Sequence, residues 1–113
     1  YIFNGNVPNT GLITNLPNNV CVEVPVAASK RGFEPIHVGA LPPQCAALNQ
    51  ITAAVEEMAV EGHFAGDPRM IFHACCYDPC TAAVLSLSEI KKLVEDMFKQ
   101  NRKYLPQFKT ISF

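Results

Sequence analysis

The segment VCVEVPV, residues 20–26, alternates valines with other residue types. Its valines at 20, 22 and 24 fall on one face of an extended chain, and the cysteine and glutamate between them fall on the other. Because side chains alternate between the two faces of a strand, this period of two predicts a half-buried β-strand. After it, SKRG predicts a turn, and residues 36–38 (IHV) predict a short second strand that pairs with the first.

The stretch before this strand is rich in turn-forming residues. Residues 4–11 read NGNVPNTG, which places asparagine, glycine and proline close together. Such residues suit backbone that needs positive φ angles, so this stretch is predicted to be a surface loop.

The character of the chain changes to helix after residue 43. Apolar residues recur every three or four positions at Leu48, Ile51, Val55 and Met58, which predicts one buried stripe on a helix over residues 44–62. The two prolines at 42 and 43 suit the start of this helix, and Gly62 or Gly66 suits its end.

Two further helices carry clear start signals. Asp67 followed by Pro68 predicts a capped N-terminus for a helix that runs to residue 77, where Asp78-Pro79 ends it and opens another short helical turn. Ser86 and Glu89 have the spacing of a capping box, which predicts the start of the last helix. The apolar stripe of that helix comprises Ile90, Leu93, Val94, Met97 and Phe98. The fold class is therefore α+β, with a small β portion of two or more strands followed by three or four helices.

Composition limits the possible functions. The chain has 113 residues, 49% of them apolar, and a formal net charge of −1, so it holds enough material for one core and shows no basic face for nucleic acid. Its apolar runs are too short to cross a membrane. Its five cysteines form no regular framework, which favours free thiols and a cytoplasmic location. Its first residues, YIFNGNVPNTG, have the character of internal sequence, which indicates a piece of a longer protein.

Residues 72–80, FHACCYDPC, concentrate four candidate metal ligands, namely His73, Cys75, Cys76 and Cys80. On an unbroken helix His73, Cys76 and Cys80 would share one face, but Pro79 interrupts the helix just before Cys80. No second ligand pair occurs in the sequence to complete a four-ligand site. Burial of the cysteines as small apolar side chains is the favoured interpretation, and a metal-binding module remains the alternative.

Three ordered blocks resemble the carboxyl-terminal region of glycoside hydrolase family 4, and the α-galactosidase-type members in particular. The blocks are residues 3–26 (FNGNVPNTGLITNLPNNVCVEVPV), 37–50 (HVGALPPQCAALNQ) and 78–90 (DPCTAAVLSLSEI). The resemblance runs in order through nearly the whole chain, from about residue 3 to residue 106. The resemblance implies a domain similar to the carboxyl-terminal domain of lactate and malate dehydrogenases.

The resemblance also implies an unusual hydrolysis. Members of the family bind NAD in an amino-terminal domain and a divalent metal, typically Mn²⁺, beside the sugar, and they cleave O-glycosidic bonds by redox, elimination and addition steps. The NAD-binding domain and the catalytic residues belong to segments before these blocks. None of the catalytic, metal-binding or cofactor-binding residues of the family therefore maps onto this chain.

For residues 1–113 the resemblance implies part of the substrate and oligomerisation domain of a cytoplasmic enzyme, inactive by itself. Its partners would be the NAD-binding domain, other copies of the enzyme and an α-glycoside substrate. Asn4, Asn6 and Asn9 are candidates for lying near the substrate, because asparagine both donates hydrogen bonds to sugar hydroxyls and accepts them. The alternative is a purely structural role, in which these asparagines only stabilise turns. A stand-alone metal-binding or oligomerisation module is the alternative function.

Overall fold

The computed structural model describes residues 1–113, and it divides into two compact units, residues 1–53 and 54–113. A three-stranded sheet and the start of the first helix belong to the first unit, and the remaining helical residues belong to the second. The α+β class, with its small β portion ahead of the helices, is therefore confirmed. No helix combines the length and the apolar character that crossing a membrane requires.

The sheet is antiparallel, in the order β1-β2-β3. Strand β1 is Ile2–Pro8, β2 is Cys21–Ser29 and β3 is Gly32–Pro35. The predicted alternation of β2 is confirmed at Val22 and Val24, which are buried. Val20 precedes the strand and is half-buried, and Val26 continues the buried face. Ile13 and Leu16, from the β1–β2 connection, complete the buried core of this unit.

Two predictions in this region are wrong. Residues 4–8 are not loop but lie in β1, where Gly5 pairs with Val24. A side chain at Gly5 would come within 3.0 Å of the Val26 side chain, so this glycine serves a close packing contact and does not mark a turn. The strand that follows β2 and pairs with it is β3, which precedes residues 36–38. Of these three residues, Ile36 donates a single backbone hydrogen bond to the Pro25 carbonyl, at 2.8 Å.

Four helices follow the sheet. These are α1 (Pro43–Ala65), α2 (Pro68–Tyr77), α3 (Pro79–Ala82) and α4 (Leu87–Asn101), with a final 3₁₀ turn at Arg102–Tyr104. The start signals are confirmed: the Asp67 side chain accepts from the Arg69 N–H, and Ser86 with Glu89 forms the capping box. Gly66, with φ of +64°, is the glycine that follows α1.

The predicted buried stripe of α1 is wrong at its first two positions. Leu48 is 68% exposed and Ile51 is 42% exposed, whereas the buried positions are the small residues Ala46, Ala53 and Gly62. A side chain at Gly62 would come within 2.8 Å of the Met70 Cβ atom, so here the backbone of α1 lies close against side chains of α2. Apolar periodicity identified the helix, but small residues define the face that is packed.

The second unit has an aromatic core. Ile90, Val94 and Phe98 of α4 are buried, together with Phe108 of the tail. The Phe98 and Phe108 ring centroids are 4.8 Å apart, and Phe113 stacks at an angle on Phe72 at 5.3 Å. The carboxyl-terminal tail therefore packs within its own unit.

Candidate functional site

Asn4 and Asn6 lie on the exposed face of β1, because the inward positions of this strand are taken by Phe3, Gly5 and Val7. Asn4 pairs with Pro25 of β2, and Asn6 pairs with Glu23. Neither asparagine side chain makes a hydrogen bond within the chain. Their carboxamides are therefore free to bind groups from outside the chain.

Asn9 is placed differently, since it is completely buried. Its Nδ2 donates to the carbonyls of Ile13, Leu16 and Pro17 at 2.9, 3.2 and 2.9 Å, and its Oδ1 accepts from the Ile13 N–H at 3.0 Å. This one side chain satisfies the backbone of a loop that has no regular structure of its own. Asn9 shapes the loop and offers no free group to a ligand.

A second asparagine ties this loop to the start of α1. The Asn15 side chain accepts from the Leu41 N–H at 2.9 Å and donates to the Leu41 carbonyl at 2.8 Å. Backbone bonds from Val38 to Leu12 and from Thr14 to Gly39 run alongside, at 2.8 and 3.0 Å. The sequence around Asn9 and around Asn15 carries no signal that predicts these hydrogen bonds. The partner of Asn15, Leu41, lies 26 residues away, and the loop that Asn9 holds follows no fixed motif.

The histidine and cysteine cluster does not converge. His73 and Cys80 are exposed, while Cys75 and Cys76 are half-buried, and all five cysteines of the chain are free thiols. No group of three or more His, Cys, Asp or Glu side chains is arranged to hold a metal ion. Pro79 starts the separate helix α3, which removes Cys80 from the face of α2.

The electrostatics of this region oppose a nucleophilic cysteine. Burial raises the pKa of the Cys75 thiol, and the neighbouring Cys76 and Asp78 add to the shift; burial also raises the pKa of Cys76. Both thiols are therefore held in the neutral form, which is the less nucleophilic one. Cys75 packs beside the aromatic core of the second unit, as a small apolar side chain does.

The nearby carboxylates are engaged at helix starts. Asp78 accepts from the Thr81 N–H at 2.8 Å and from its hydroxyl at 2.6 Å, and these bonds lower the pKa of Asp78. Asp67 is paired with Arg69 at 3.1 Å, and its hydrogen bonds to Arg69 lower the pKa of Asp67. These groups stabilise helix N-termini, and the residues of this chain do not fit a Mn²⁺ site.

The chain matches the family model described as the family 4 glycosyl hydrolase C-terminal domain, over residues 1–81. It is 38% identical to an α-galactosidase of Bacillus subtilis, over 96% of this chain and 25% of that protein. It is 32% identical to an α-galactosidase of Rhizobium meliloti, over 91% of this chain and 21% of that protein. It therefore spans about a quarter of the length of these relatives.

Solved structures share the fold. A 6-phospho-α-glucosidase from gut microorganisms, in complex with NAD and glucose-6-phosphate, superposes with a TM-score of 0.85 at 30% identity, covering 96% of this chain and 24% of that one. A second 6-phospho-α-glucosidase, in complex with NAD and Mn²⁺, superposes with a TM-score of 0.82 over 90% of this chain and 23% of that one; at 18% identity it bears on the fold alone. The sequence, the fold and the family match agree: this chain belongs to the family 4 glycosyl hydrolases, in their C-terminal domain.

Proposed function

We propose that this chain is the carboxyl-terminal quarter of an α-glycosidase that depends on NAD and a divalent metal, with α-galactoside as the substrate class. Two relatives that are more than 30% identical are α-galactosidases, which supports this substrate class. The solved relative at 30% identity binds NAD, which supports the cofactor. NAD would supply the redox step of the reaction, and the protein would orient the sugar.

Within that enzyme, residues 1–113 would serve as scaffold, while the NAD-binding domain, the metal ligands and the catalytic groups would come from the rest of the polypeptide. The observation that supports this division is that the chain matches the C-terminal domain of the family and covers 25% of the length of its α-galactosidase relative from Bacillus subtilis. The domain would wall the substrate cleft and contribute to contacts between copies of the enzyme. The five free thiols support a cytoplasmic location for it.

The substrate class is tested with the full-length enzyme. Hydrolysis of nitrophenyl α-galactoside is measured with NAD and Mn²⁺, with either one omitted, and against the 6-phosphorylated α-glucoside. We expect turnover of the galactoside only when both cofactors are present. Turnover without NAD would contradict the proposed cofactor chemistry, and a preference for the phosphorylated sugar would contradict the α-galactosidase assignment.

We also propose that Asn4 and Asn6 approach the substrate cleft, because their carboxamides are exposed and unpaired on β1. Asn9 would act only through the loop that it shapes. Replacing Asn6 with alanine in the full-length enzyme should raise KM or lower kcat, since a hydrogen bond to a sugar hydroxyl is lost. Asn18→Ala is the matched control, because Asn18 is an exposed asparagine in a turn. Kinetics of Asn6→Ala equal to those of this control would exclude the role.

A further inference from the structure

A groove between α2 and α4 is lined almost entirely by apolar side chains. Its volume is about 510 Å³, and its lining includes Ile71, Cys75, Leu93, Met97 and Tyr104. The one carboxamide in the lining, that of Asn101, donates back to the Met97 carbonyl at 2.9 Å. The groove therefore offers apolar contact area and almost no free polar partner.

The stripe of apolar residues on α4 is wider than its own unit covers. Ile90, Val94 and Phe98 are at most 6% exposed, whereas Leu93 is 42% exposed and Met97 is 51% exposed on the same helix. A surface helix normally turns its apolar stripe toward the core and charged residues toward water. The open half of this stripe, at Leu93 and Met97, forms one wall of the groove.

The chain has no segment of its own left to fill the groove. The tail after the last helical turn folds back onto the aromatic core, where Phe108 contacts Phe98 and Phe113 contacts Phe72. Leu105 contributes to the lining of the groove, so it forms part of the wall. The groove stays open with every residue of the chain in place.

Charge also bears on the kind of occupant. The charges on the middle of α4 pair with each other, Lys92 with Asp96 at 2.7 Å and Lys91 with Glu95 at 4.0 Å. No unpaired charge lines the groove, so an ionic partner would find nothing to neutralise. An apolar segment fits both the apolar lining of the groove and the neighbouring surface of α4, where the charges already pair with each other.

We propose that an apolar segment of the same polypeptide, from the part of the enzyme outside these 113 residues, packs into the α2–α4 groove. This inference rests on the proposed function, in which the chain is one domain of an enzyme about four times as long. A segment on the same polypeptide competes at a high effective concentration, commonly in the millimolar range. It would therefore occupy the groove ahead of a second copy of the protein.

The test is thiol protection in the full-length enzyme. Met97→Cys places a thiol in the groove, and Leu87→Cys places one on the same helix at a site that is 67% exposed and outside the lining. Maleimide modification is followed peptide by peptide with mass spectrometry, and each rate is divided by the rate for the same variant unfolded in urea. We expect the thiol at 97 to react about tenfold more slowly than in urea, or slower still, and the thiol at 87 to react at close to its unfolded rate.

A second position on the same wall of the groove gives an independent readout. Leu93 lines the groove and is 42% exposed within this chain, so strong protection there needs a segment from outside it. If Met97→Cys does not fold, the same protection is measured with Leu93→Cys, again with Leu87→Cys as the reference. We expect the thiol at 93 to be protected in the enzyme at every protein concentration.

Two results would overturn the inference. Unhindered reaction of the groove thiol would show that the groove is open in the enzyme. Protection that is lost on dilution would assign the groove to a second copy. Glycoside hydrolysis is measured on the same unmodified enzyme, so failure of the proposed function is detected independently of the labelling rates.

Discussion

The two units of this chain use polar side chains in opposite ways. In the first unit the only buried polar residue of the chain, Asn9, lies at the centre of an irregular loop and bonds to four backbone groups. In the second unit the core is apolar and largely aromatic, and the polar bonds stand at helix starts such as those at Asp78 and Ser86. The first unit depends on a buried polar network, and the second depends on packing.

The difference follows from the backbone. Helices satisfy their own amide groups except in the first and last turns, so a helical unit needs polar side chains only there. The twelve residues between β1 and β2, residues 9–20, have no such regular pairing, and each buried amide there needs another partner. One asparagine, with two donors and an acceptor oxygen, can meet that need at a single point.

The largest loss of stability is expected when an aromatic ring is removed from the core of the second unit. Phe98→Ala removes a ring that is 6% exposed and stacks on Phe108, so we expect a loss of about 3–5 kcal/mol in the free energy of unfolding. Phe64→Ala is the control, because Phe64 is 83% exposed. Urea unfolding checks both. A loss of similar size in the two variants would contradict the conclusion that the second unit depends on the packing of its buried aromatic core.

The polar network of the first unit is tested at Asn9. Asn9→Ala removes the hydrogen bonds that this side chain makes to three carbonyls and one N–H, so we expect a loss of about 2–3 kcal/mol in the free energy of unfolding. Asn18→Ala, at an exposed turn position, should change stability little. Hydrogen exchange should show faster exchange of the Ile13 amide. If the Ile13 amide exchanged at the same rate in Asn9→Ala as in the wild type, the role given to Asn9 would be contradicted.

A smaller effect is expected at the start of α4. Ser86→Ala removes the hydroxyl that accepts from the Glu89 N–H, and such a cap contributes about 1 kcal/mol. Ser112→Ala is the control, because Ser112 is an exposed serine outside the helices. Thermal unfolding measures the difference. Equal melting temperatures for the two variants would show that the cap is dispensable.

The smallest effect is a dependence on pH at the same cap. The Ser86 hydroxyl and backbone N–H donate to the Glu89 carboxylate at 2.7 and 2.8 Å, which lowers the pKa of Glu89 below its ordinary 4.5. A carboxyl whose pKa is lower when folded contributes stability that is fully present above pH 4.5 and is lost as pH falls through the folded pKa.

Melting temperatures of the wild type and Glu89→Gln, followed from neutral pH downward, isolate this carboxyl from Asp67, Asp78 and Asp96, whose pKa values are also lowered by hydrogen bonds. We expect the advantage of the wild type to shrink below pH 4.5. An advantage that stays constant down to the lowest pH would contradict the coupling.

The parts of the fold that were predictable are the local ones. Asp67-Pro68 and Ser86 with Glu89 act through bonds to residues two or three positions away, so the sequence near each helix start contains the whole interaction. The valines of β2 likewise show their alternation within seven residues. The site was less predictable: Asn4, Asn6 and Asn9 have the same side chain, yet two are exposed on a strand and the third is buried in a loop.

By itself the sequence determined the class of the fold, the starts of α2 and α4 and the family, because these depend on short-range spacing and on ordered blocks of residues. Only the tertiary structure decided that β1 is a strand and not a loop, since Gly5 is explained by the Val26 side chain across the sheet. It also decided that α1 packs through Ala53 and Gly62 while Leu48 stays exposed. Such outcomes depend on contacts between residues that are distant in the sequence, and the spacing of residues along the chain does not specify those contacts.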